Sequence, residues 1–453
     1  MATEPPASAQ PNVSPYWWRT GMSGRFWALV VVEGIVAGVV ATALEKLLRL
    51  VQHLAWTYRT GEFIVGVQRH GASWRVAVLA AAGLLAGVGW WALVKIAGTR
   101  GGDLSDAIWS TEARIPLVPT LVTATLSETV IALGASLGRE APPKEASAAI
   151  ASRLALWAGL SVEERRLLVA CAAGAGFAGI YNIPLGGAIF AVEVLMGSLA
   201  LPLVLPALAA STLATAVTWI VLPIHPYYQA IPSYPAATPL LVWALLAGPV
   251  IGVASTGYVW VIGWAQRHKL SGRNVLWGPL VVFGLLGVLA VRYPQLLGNG
   301  KDVAEQAFLG GDGILVLATL FVLKPLVTAA CLGSGATGGL FTPTTSYGAL
   351  LGAGLGHLWG LAWPGAAVGS YALVGATAML GAALNGPVSG LVLMVELTHH
   401  MTSLLVPAML ALVGANLVSR MLHSRSVYSV RLPHSEPPDR WSRSGVWAGD
   451  GGR

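Results

Sequence analysis

The sequence predicts an all-α protein that crosses a lipid bilayer several times. Of its 453 residues, 55% are hydrophobic and only 10% are charged, and the mean hydropathy is +0.67. Soluble domains carry roughly 25% charged residues. Long apolar runs approach the ~20 residues that a helix needs to cross a bilayer, and they lie at residues 26–44, 76–94, 239–262, 275–291 and 404–418. These runs lack two-residue alternation, which favours helices over a β-barrel.

Part of the positive charge lies near the chain ends. The net charge is +7, and Arg19 and Arg25 precede the first apolar run. The arginines after the last run are Arg420, Arg425, Arg431, Arg440, Arg443 and Arg453. Because basic residues flanking spans stay on the cytoplasmic side, we predict a plasma-membrane protein with both termini in the cytoplasm. The charge therefore does not indicate nucleic-acid binding.

The composition divides the chain into one membrane domain and two tails. Residues 1–25 are expected to form a disordered cytoplasmic tail, since residues 1–15 are rich in Pro, Ala and Ser and do not resemble a signal peptide. Residues 26–428 form the predicted membrane domain. Residues 429–453 form a second cytoplasmic tail that has too little sequence for a regulatory domain.

Two motifs occur twice in the same order. The segment IYNIPLGGAIFAVEV resembles ALNGPVSGLVLMVEL, with an offset of 203 residues between matching positions. Upstream, LGASLGREAP resembles LGSGATGGLFTP, with an offset of 201 for Gly138/Gly339 and Pro142/Pro343. Chance similarity between Gly- and Pro-rich membrane helices is the alternative. We favour two related halves, at roughly residues 26–222 and 239–428.

Glycine and proline interrupt apolar sequence in the upstream motif of each half. Pro142 and Pro343 suit the first turn of a helix, where no N–H donor is needed. A third helix start is predicted after Gly98, in GTRGGDLSD. Helix N-termini carry partial positive charge, and broken helices at corresponding positions of two halves point at anionic substrates in transporters. Converging helix starts therefore predict an anion site.

The segment GREAPPKE concentrates charge within this apolar sequence. An unpaired charge at the bilayer centre costs roughly 2.5–3.5 kcal/mol, so Glu140 faces water, is protonated or has a partner. Lys144 lies one helical turn further on and is a candidate partner. A buried ion network without a transport role is the alternative.

The motifs GREAP, GSGATGGLFTP, NIPLGGAIFAVE and SVYSV resemble, in order and spacing, the CLC family of chloride channels and transporters. The resemblance runs from about residue 26 to 428. It implies a CLC-type fold of two inverted-topology repeats with broken and re-entrant helices. It also implies a homodimer with one pore per subunit, which carries chloride or a similar small anion without a cofactor or a metal.

The resemblance assigns roles to particular residues. It implies an anion-binding set of Arg139, Glu140, Ala141, Leu340, Phe341 and Tyr428. Leu340 and Phe341 would offer backbone N–H groups to the central anion, and Tyr428 its hydroxyl. Glu140 would be the gate and the outer proton acceptor. Because protonation removes the charge of a carboxylate, such a gate would couple anion occupancy to pH.

Two positions depart from the family pattern. Gly102 stands where the family motif GSGIP has a serine that reaches the anion, so the site is expected to bind more weakly. Val194 stands where many exchangers have an inner glutamate, which favours channel-like or weakly proton-coupled transport. A chloride/proton antiporter is the alternative, with protons carried by water or by an acidic residue such as Glu128 or Glu145.

Further signals carry less weight. GASLG fits the G-x-S-x-G nucleophile motif around Ser136, but helical sequence precedes it, so an intramembrane hydrolase is only a remote alternative. We expect no enzymatic activity. Lys324 is expected either to attract anions or to extend toward the interface. Cys171 and Cys331 are expected to be small core residues and not a disulfide.

Overall fold

The computed structural model describes residues 21–58, 61–102, 104–109 and 112–431, which are mostly helical. The first half contains α1 (Gly24–Trp56), α2 (Phe63–Gln68), α3 (Ala72–Ala97), α4 (Leu104–Trp109), α5 (Leu117–Ala132), α6 (Ala141–Trp157), α7 (Val162–Tyr181), α8 (Pro184–Ile189) and α9 (Leu201–Trp219). The second half contains α10 (Thr238–Arg267), α11 (Gly278–Arg292), α12 (Lys301–Leu309), α13 (Ile314–Gly333), α14 (Phe341–Ala362), α15 (Val368–Leu384), α16 (Pro387–Thr398) and α17 (Leu405–Met421). A π-helical segment, Phe190–Leu195, continues α8. Short 3-10 segments lie at Gly272–Leu276, Pro294–Leu296, Thr402–Leu404 and Ser429–Arg431.

The apolar runs of the sequence form long helices. Each of the five predicted runs lies almost wholly within a helix, namely α1, α3, α10, α11 or α17. Within the described residues, seven helical segments are long and apolar enough to cross a membrane. Large apolar side chains on one face of α10, such as Leu245, Val250 and Val253, point outward, as lipid contact requires. The predicted all-α membrane fold is confirmed.

The two halves pack their helices in the same way. In the first half α6 packs on α7 and α1 packs on α9, and in the second half α14 packs on α15 and α10 on α17. Asn182 and Asn385 end α7 and α15 in the left-handed conformation, with φ of 58° and 53°. Asparagine tolerates this conformation better than most residues. The sequence repeat is therefore also a repeat in backbone geometry.

Small residues allow the same close helix contact in each half. A Cβ atom on Gly34 or Gly38 of α1 would lie 2.9 Å or 2.6 Å from a carbonyl oxygen of α9. A Cβ atom on Gly248 or Gly252 of α10 would lie 2.7 Å or 2.5 Å from a carbonyl oxygen of α17. Small residues at helix contacts let backbones approach closely in membranes, so larger residues at these positions would push the helices apart.

The downstream motifs of the two halves exchange helix caps. The Glu193 carboxylate accepts hydrogen bonds from the backbone N–H groups of Val388 (3.2 Å) and Ser389 (2.5 Å), at the start of α16. The Glu396 carboxylate accepts from Leu185 (3.1 Å) and Gly186 (2.5 Å), at the start of α8. Carboxylates stabilise helix N-termini. These repeat-related glutamates therefore join the halves.

Candidate anion-binding site

A two-residue bridge joins the upstream motifs of the two halves. Gly138 N–H donates to Gly339 O (2.8 Å), and Gly339 N–H donates to Gly138 O (2.7 Å). This isolated antiparallel bridge lies just before α6 and α14, so it places the starts of the two helices side by side. A Cβ atom on either glycine would overlap the carboxylate of Glu140. Glycine at both positions therefore leaves space for that carboxylate.

The Glu140 side chain reaches from the first half into the second. Glu140 immediately precedes α6 and is fully buried. Its Oε1 accepts a hydrogen bond of 2.6 Å from the backbone N–H of Phe341, the first residue of α14. N–H groups at a helix start attract negative charge, and hydrogen bonds to a carboxylate are stronger than those between neutral groups. The carboxylate thus occupies a position suited to an anion.

Arg139 points away from this position. Its Nη2 lies 2.9 Å from Glu45 Oε2 on α1, and both side chains are largely buried. The guanidinium also lies over the rings of Tyr181 and Tyr227, at 5.5 Å and 5.6 Å from their centroids. Arg139 lines a cavity of about 320 Å³ whose charged lining residues are Glu45, Arg49, Arg139, Lys301 and Asp302. A polar cavity therefore reaches the residue next to Glu140.

The ammonium of Lys144 lies against Tyr428. Lys144 Nζ donates to Tyr428 Oη at 3.0 Å. The ammonium lies over the rings of Tyr428 (4.4 Å), Phe190 (4.9 Å) and Phe177 (5.4 Å). The ring of Phe177 in turn contacts that of Phe341, with centroids 4.9 Å apart. Lys144 therefore joins Tyr428 and Phe341 in one buried cluster, a contact that the sequence did not predict.

The remaining residues of the expected set lie at or near helix starts. Ala141 is the first residue of α6, Leu340 immediately precedes α14, and both are buried. Gly102 lies between α3 and α4, and its N–H donates to Thr120 Oγ1 at 3.4 Å. The predicted third helix start is α4. Asp103, next to Gly102, lies outside the described residues.

The loop before α4 is held against the second half. Arg100 Nη1 donates to the carbonyl oxygen of Gly335 at 2.7 Å, in the loop that precedes α14. Ser127 Oγ on α5 donates to the carbonyl oxygen of Thr337 in the same loop, at 2.5 Å. Two polar side chains of the first half therefore fix the loop that leads to Phe341.

The acidic residues named for proton transfer have different surroundings. Glu128 on α5 is fully buried, and neither of its carboxylate oxygens has a hydrogen-bond partner among the described residues. Glu145 on α6 is partly buried. Val194 is buried in the π-helical segment, beside Glu193. Val194 therefore places an apolar side chain where the resemblance predicts an inner glutamate in many exchangers.

Ser136, Lys324 and the two cysteines lie in packed, structural surroundings. Ser136 Oγ lies 3.3 Å from Thr328 Oγ1. Lys324 is buried and donates to two backbone carbonyl oxygens, those of Leu296 and Gly298, each at 3.0 Å. It therefore does not extend to an interface. Cys171 and Cys331 are buried free thiols, as expected.

The fold and the paired motifs define a membrane transporter built from two related halves. The family model described as voltage gated chloride channel matches residues 82–420. The putative chloride channel protein ClcB-like of Ralstonia nicotianae is 31% identical over 437 residues, covering 90% of this chain and 100% of that protein. The protein belongs to the voltage gated chloride channel family, known as CLC, whose members transport anions.

Other similarities extend across both functional branches of the family. The H(+)/Cl(-) exchange transporter ClcA of Vibrio cholerae is 26% identical over 430 residues, covering 91% of this chain and 90% of that protein. Among solved structures, a slow cyanobacterial Cl-/H+ antiporter superposes with a TM-score of 0.77 at 20% identity, covering 90% of this chain and 97% of that one. The chain therefore has the CLC-type fold.

Proposed function

We propose that the protein transports chloride or similar small anions across the plasma membrane, through one CLC-type pore in each subunit of a homodimer. Glu140 is the gate. The observation that carries this proposal is the hydrogen bond of 2.6 Å from Phe341 N–H to Glu140 Oε1. A carboxylate on the N–H groups of a helix start occupies the position that a small anion would take. Both termini lie in the cytoplasm.

The chemistry of this position suits passage of an anion. Backbone dipoles replace part of the hydration of an anion and hold it weakly enough for release. When Glu140 is protonated, its negative charge is lost and an anion competes for the Phe341 N–H. When it is ionised, the carboxylate holds the N–H and excludes the anion. Anion flux therefore rises as pH falls.

Whether transport is coupled to protons depends on the residue at the inner end of the pathway. Because Val194 replaces the inner glutamate of many exchangers, transport is channel-like or only weakly coupled to protons. The second candidate is chloride/proton antiport on the same scaffold. One observation favours it: Glu128 is a fully buried carboxylate whose oxygens have no hydrogen-bond partner among the described residues, so they are available to accept a proton.

Reconstitution into liposomes tests the proposal. Vesicles loaded with chloride, nitrate or fluoride are assayed for anion efflux at pH 4.5 and 7.5, for the wild type and Glu140→Gln. We expect protein-dependent efflux that is faster at low pH in the wild type and independent of pH in Glu140→Gln. The exposed Glu112 is the matched control, and Glu112→Gln should behave like the wild type.

Each possible result has a definite meaning. Absence of anion efflux above that of protein-free vesicles would contradict the function. An unchanged pH dependence in Glu140→Gln would remove Glu140 from the role of gate. A pH electrode outside the vesicles separates the two modes. A chloride gradient that moves no protons indicates conduction, whereas proton movement against chloride indicates antiport.

A further inference from the structure

One oxygen of the buried Glu140 carboxylate has no partner in the part of the chain that the structure describes. Oε1 accepts from the Phe341 N–H, whereas Oε2 accepts no hydrogen bond. The N–H groups of Gly138 and Gly339 do not serve it, since each donates to the carbonyl oxygen of the other. A proton that neutralises Glu140 is therefore accepted at Oε2, and it must reach a side chain that is fully buried.

A pair of buried hydroxyl groups adjoins the same helix start. Tyr181 Oη, at the end of α7, lies 2.9 Å from Thr342 Oγ1, in the first turn of α14. The Tyr181 ring also contacts the ring of Phe341, with centroids 5.8 Å apart. The Glu140 carboxylate is close enough to act electrostatically on this tyrosine. The hydroxyl pair therefore borders the position that the Glu140 carboxylate occupies.

This hydroxyl pair has one unused O–H donor. Each hydroxyl group donates one hydrogen bond and can accept two, and the bond between Tyr181 and Thr342 uses one of the two protons. Neither hydroxyl has a second hydrogen-bond partner within the described residues. Buried polar groups normally have partners. The unused O–H of the pair and the unpartnered Oε2 of Glu140 are thus a donor and an acceptor beside the same helix start.

Tyr181 also lines a polar cavity of about 60 Å³, which has room for water. This cavity adjoins the larger one of about 320 Å³. The residues that line both cavities are Glu45, Arg49, Arg139, Pro223, His225 and Tyr227. Tyr181 therefore lies between a polar cavity and the start of α14.

Other charged or titratable groups lie near Glu140 or Tyr181. They are Arg139, Lys144, Glu128, Tyr227, Tyr228 and Tyr258. Glu128 offers a competing source of protons, because its carboxylate oxygens also have no hydrogen-bond partner in the described part of the chain. Glu128 lines neither cavity, whereas Tyr181 lines one of them. This difference favours the hydroxyl pair.

We propose that the hydroxyl pair of Tyr181 and Thr342 carries protons from the polar cavity to Glu140. Tyr181 takes up a proton from cavity water and passes its own to Thr342, and Thr342 passes its own through a bridging water molecule to Glu140 Oε2. Each hydroxyl gains one proton and gives up one, so the pair stays neutral while the carboxylate loses its charge. This assignment rests on the proposed function, in which Glu140 is the gate, and adds the route of its proton.

Anion efflux from liposomes at pH 4.5 tests this route. Tyr181→Phe and Thr342→Val each remove a hydroxyl and keep the shape of the side chain, and we expect efflux at least about tenfold slower than in the wild type. Thr342→Ser keeps the hydroxyl and should remain within about threefold of the wild type. Tyr371→Phe is the matched control, because Tyr371 is a buried tyrosine that lines neither cavity. It should leave efflux unchanged.

The Glu140→Gln background shows whether the hydroxyls act through the gate. Because a glutamine side chain does not titrate, adding Tyr181→Phe to Glu140→Gln should not slow efflux further. Equal slowing by Tyr181→Phe in both backgrounds would show a structural role and overturn the route. Slow efflux in Glu128→Gln, with Tyr181→Phe like the wild type, would also overturn it. In both cases the proposed function stands, whereas absence of efflux in the wild type would contradict both proposals.

Time-resolved infrared spectroscopy after a jump from pH 7.5 to 4.5 gives a readout that needs no transport. Protonation of Glu140 appears as a carboxylic-acid band that is missing in Glu140→Gln. We expect Tyr181→Phe to reach the same final band at least about tenfold more slowly than the wild type. An equal rate in the two proteins would contradict a role of the Tyr181 hydroxyl in proton delivery.

Discussion

The starts of α6 and α14 hold equivalent places in the two halves but differ in chemistry. At an offset of 201 residues, Arg139, Glu140 and Lys144 correspond to Leu340, Phe341 and Thr345. Each charged residue of the first half has an uncharged counterpart in the second. The second half provides the backbone N–H that donates to the Glu140 carboxylate, and the first half provides the charged side chains around it. The site therefore exists only where the halves meet.

The charged residues at the start of α6 need buried partners of opposite charge, whereas the uncharged residues at the start of α14 do not. Arg139→Leu gives the first half the residue that the second has, and it removes the 2.9 Å partner of the buried Glu45. Removing one partner of a buried ion pair costs about 3 kcal/mol when the remaining charge is left uncompensated, but Glu45 keeps Arg49 at 2.6 Å. We therefore expect a loss of less than about 3 kcal/mol in the free energy of unfolding, measured by denaturation in detergent. Glu45→Gln in the same chain should restore part of it, and a double variant no more stable than Arg139→Leu would contradict this explanation.

The halves should respond alike where their chemistry is alike. Glu193→Gln and Glu396→Gln each weaken the cap on the helix of the other half, and each should cost about 1 kcal/mol of stability. Thermal unfolding of both variants measures the effect, with Glu112→Gln as the exposed control. The relative flux of chloride, nitrate and fluoride should not change. A large loss in one variant and none in the other would show that the exchanged caps are not equivalent.

Of these substitutions, Gly102→Ser is expected to have the smallest effect, which is on chloride affinity. A Cβ atom there would meet Pro116 Cδ at 3.3 Å and Ile115 Cγ2 at 3.5 Å, so a serine fits after a small adjustment. Gly102→Ser should strengthen chloride binding about fivefold, the value of one hydrogen bond of ~1 kcal/mol. Gly102→Ala, which adds the Cβ without the hydroxyl, is the control. Equal calorimetric affinities in the two variants would show that the missing hydroxyl does not limit binding.

Local sequence patterns predicted the fold and the meeting of the two helix starts at which Glu140 and Phe341 lie. The lengths of the apolar runs predicted the membrane-spanning helices. The repeated Gly and Pro interruptions predicted that Glu140 and Phe341 lie at corresponding helix starts. Those signals depend on the backbone, which neighbouring residues largely determine. The hydrogen bond between Phe341 and Glu140 is a finding of the structure, because the resemblance had assigned the Phe341 N–H to the central anion.

Contacts between distant side chains were not predictable in the same way. Helical spacing suggested Glu140 as the partner of Lys144, whereas Lys144 donates to Tyr428, 284 residues away. The exchange of caps between Glu193 and Glu396 also depends on how the halves pack. In each case tertiary packing brings together residues that are far apart in the sequence, which local spacing does not pair.

A bromide-soaked crystal of Glu140→Gln tests the central claim most directly. The claim is that an anion and the Glu140 carboxylate compete for the Phe341 N–H. We expect an anomalous bromide peak within about 3.5 Å of Phe341 N in the variant, and the carboxylate at that position in the wild type at neutral pH. A glutamine that keeps the same hydrogen bond, with no bromide at Phe341 N at saturating concentration, would contradict the claim.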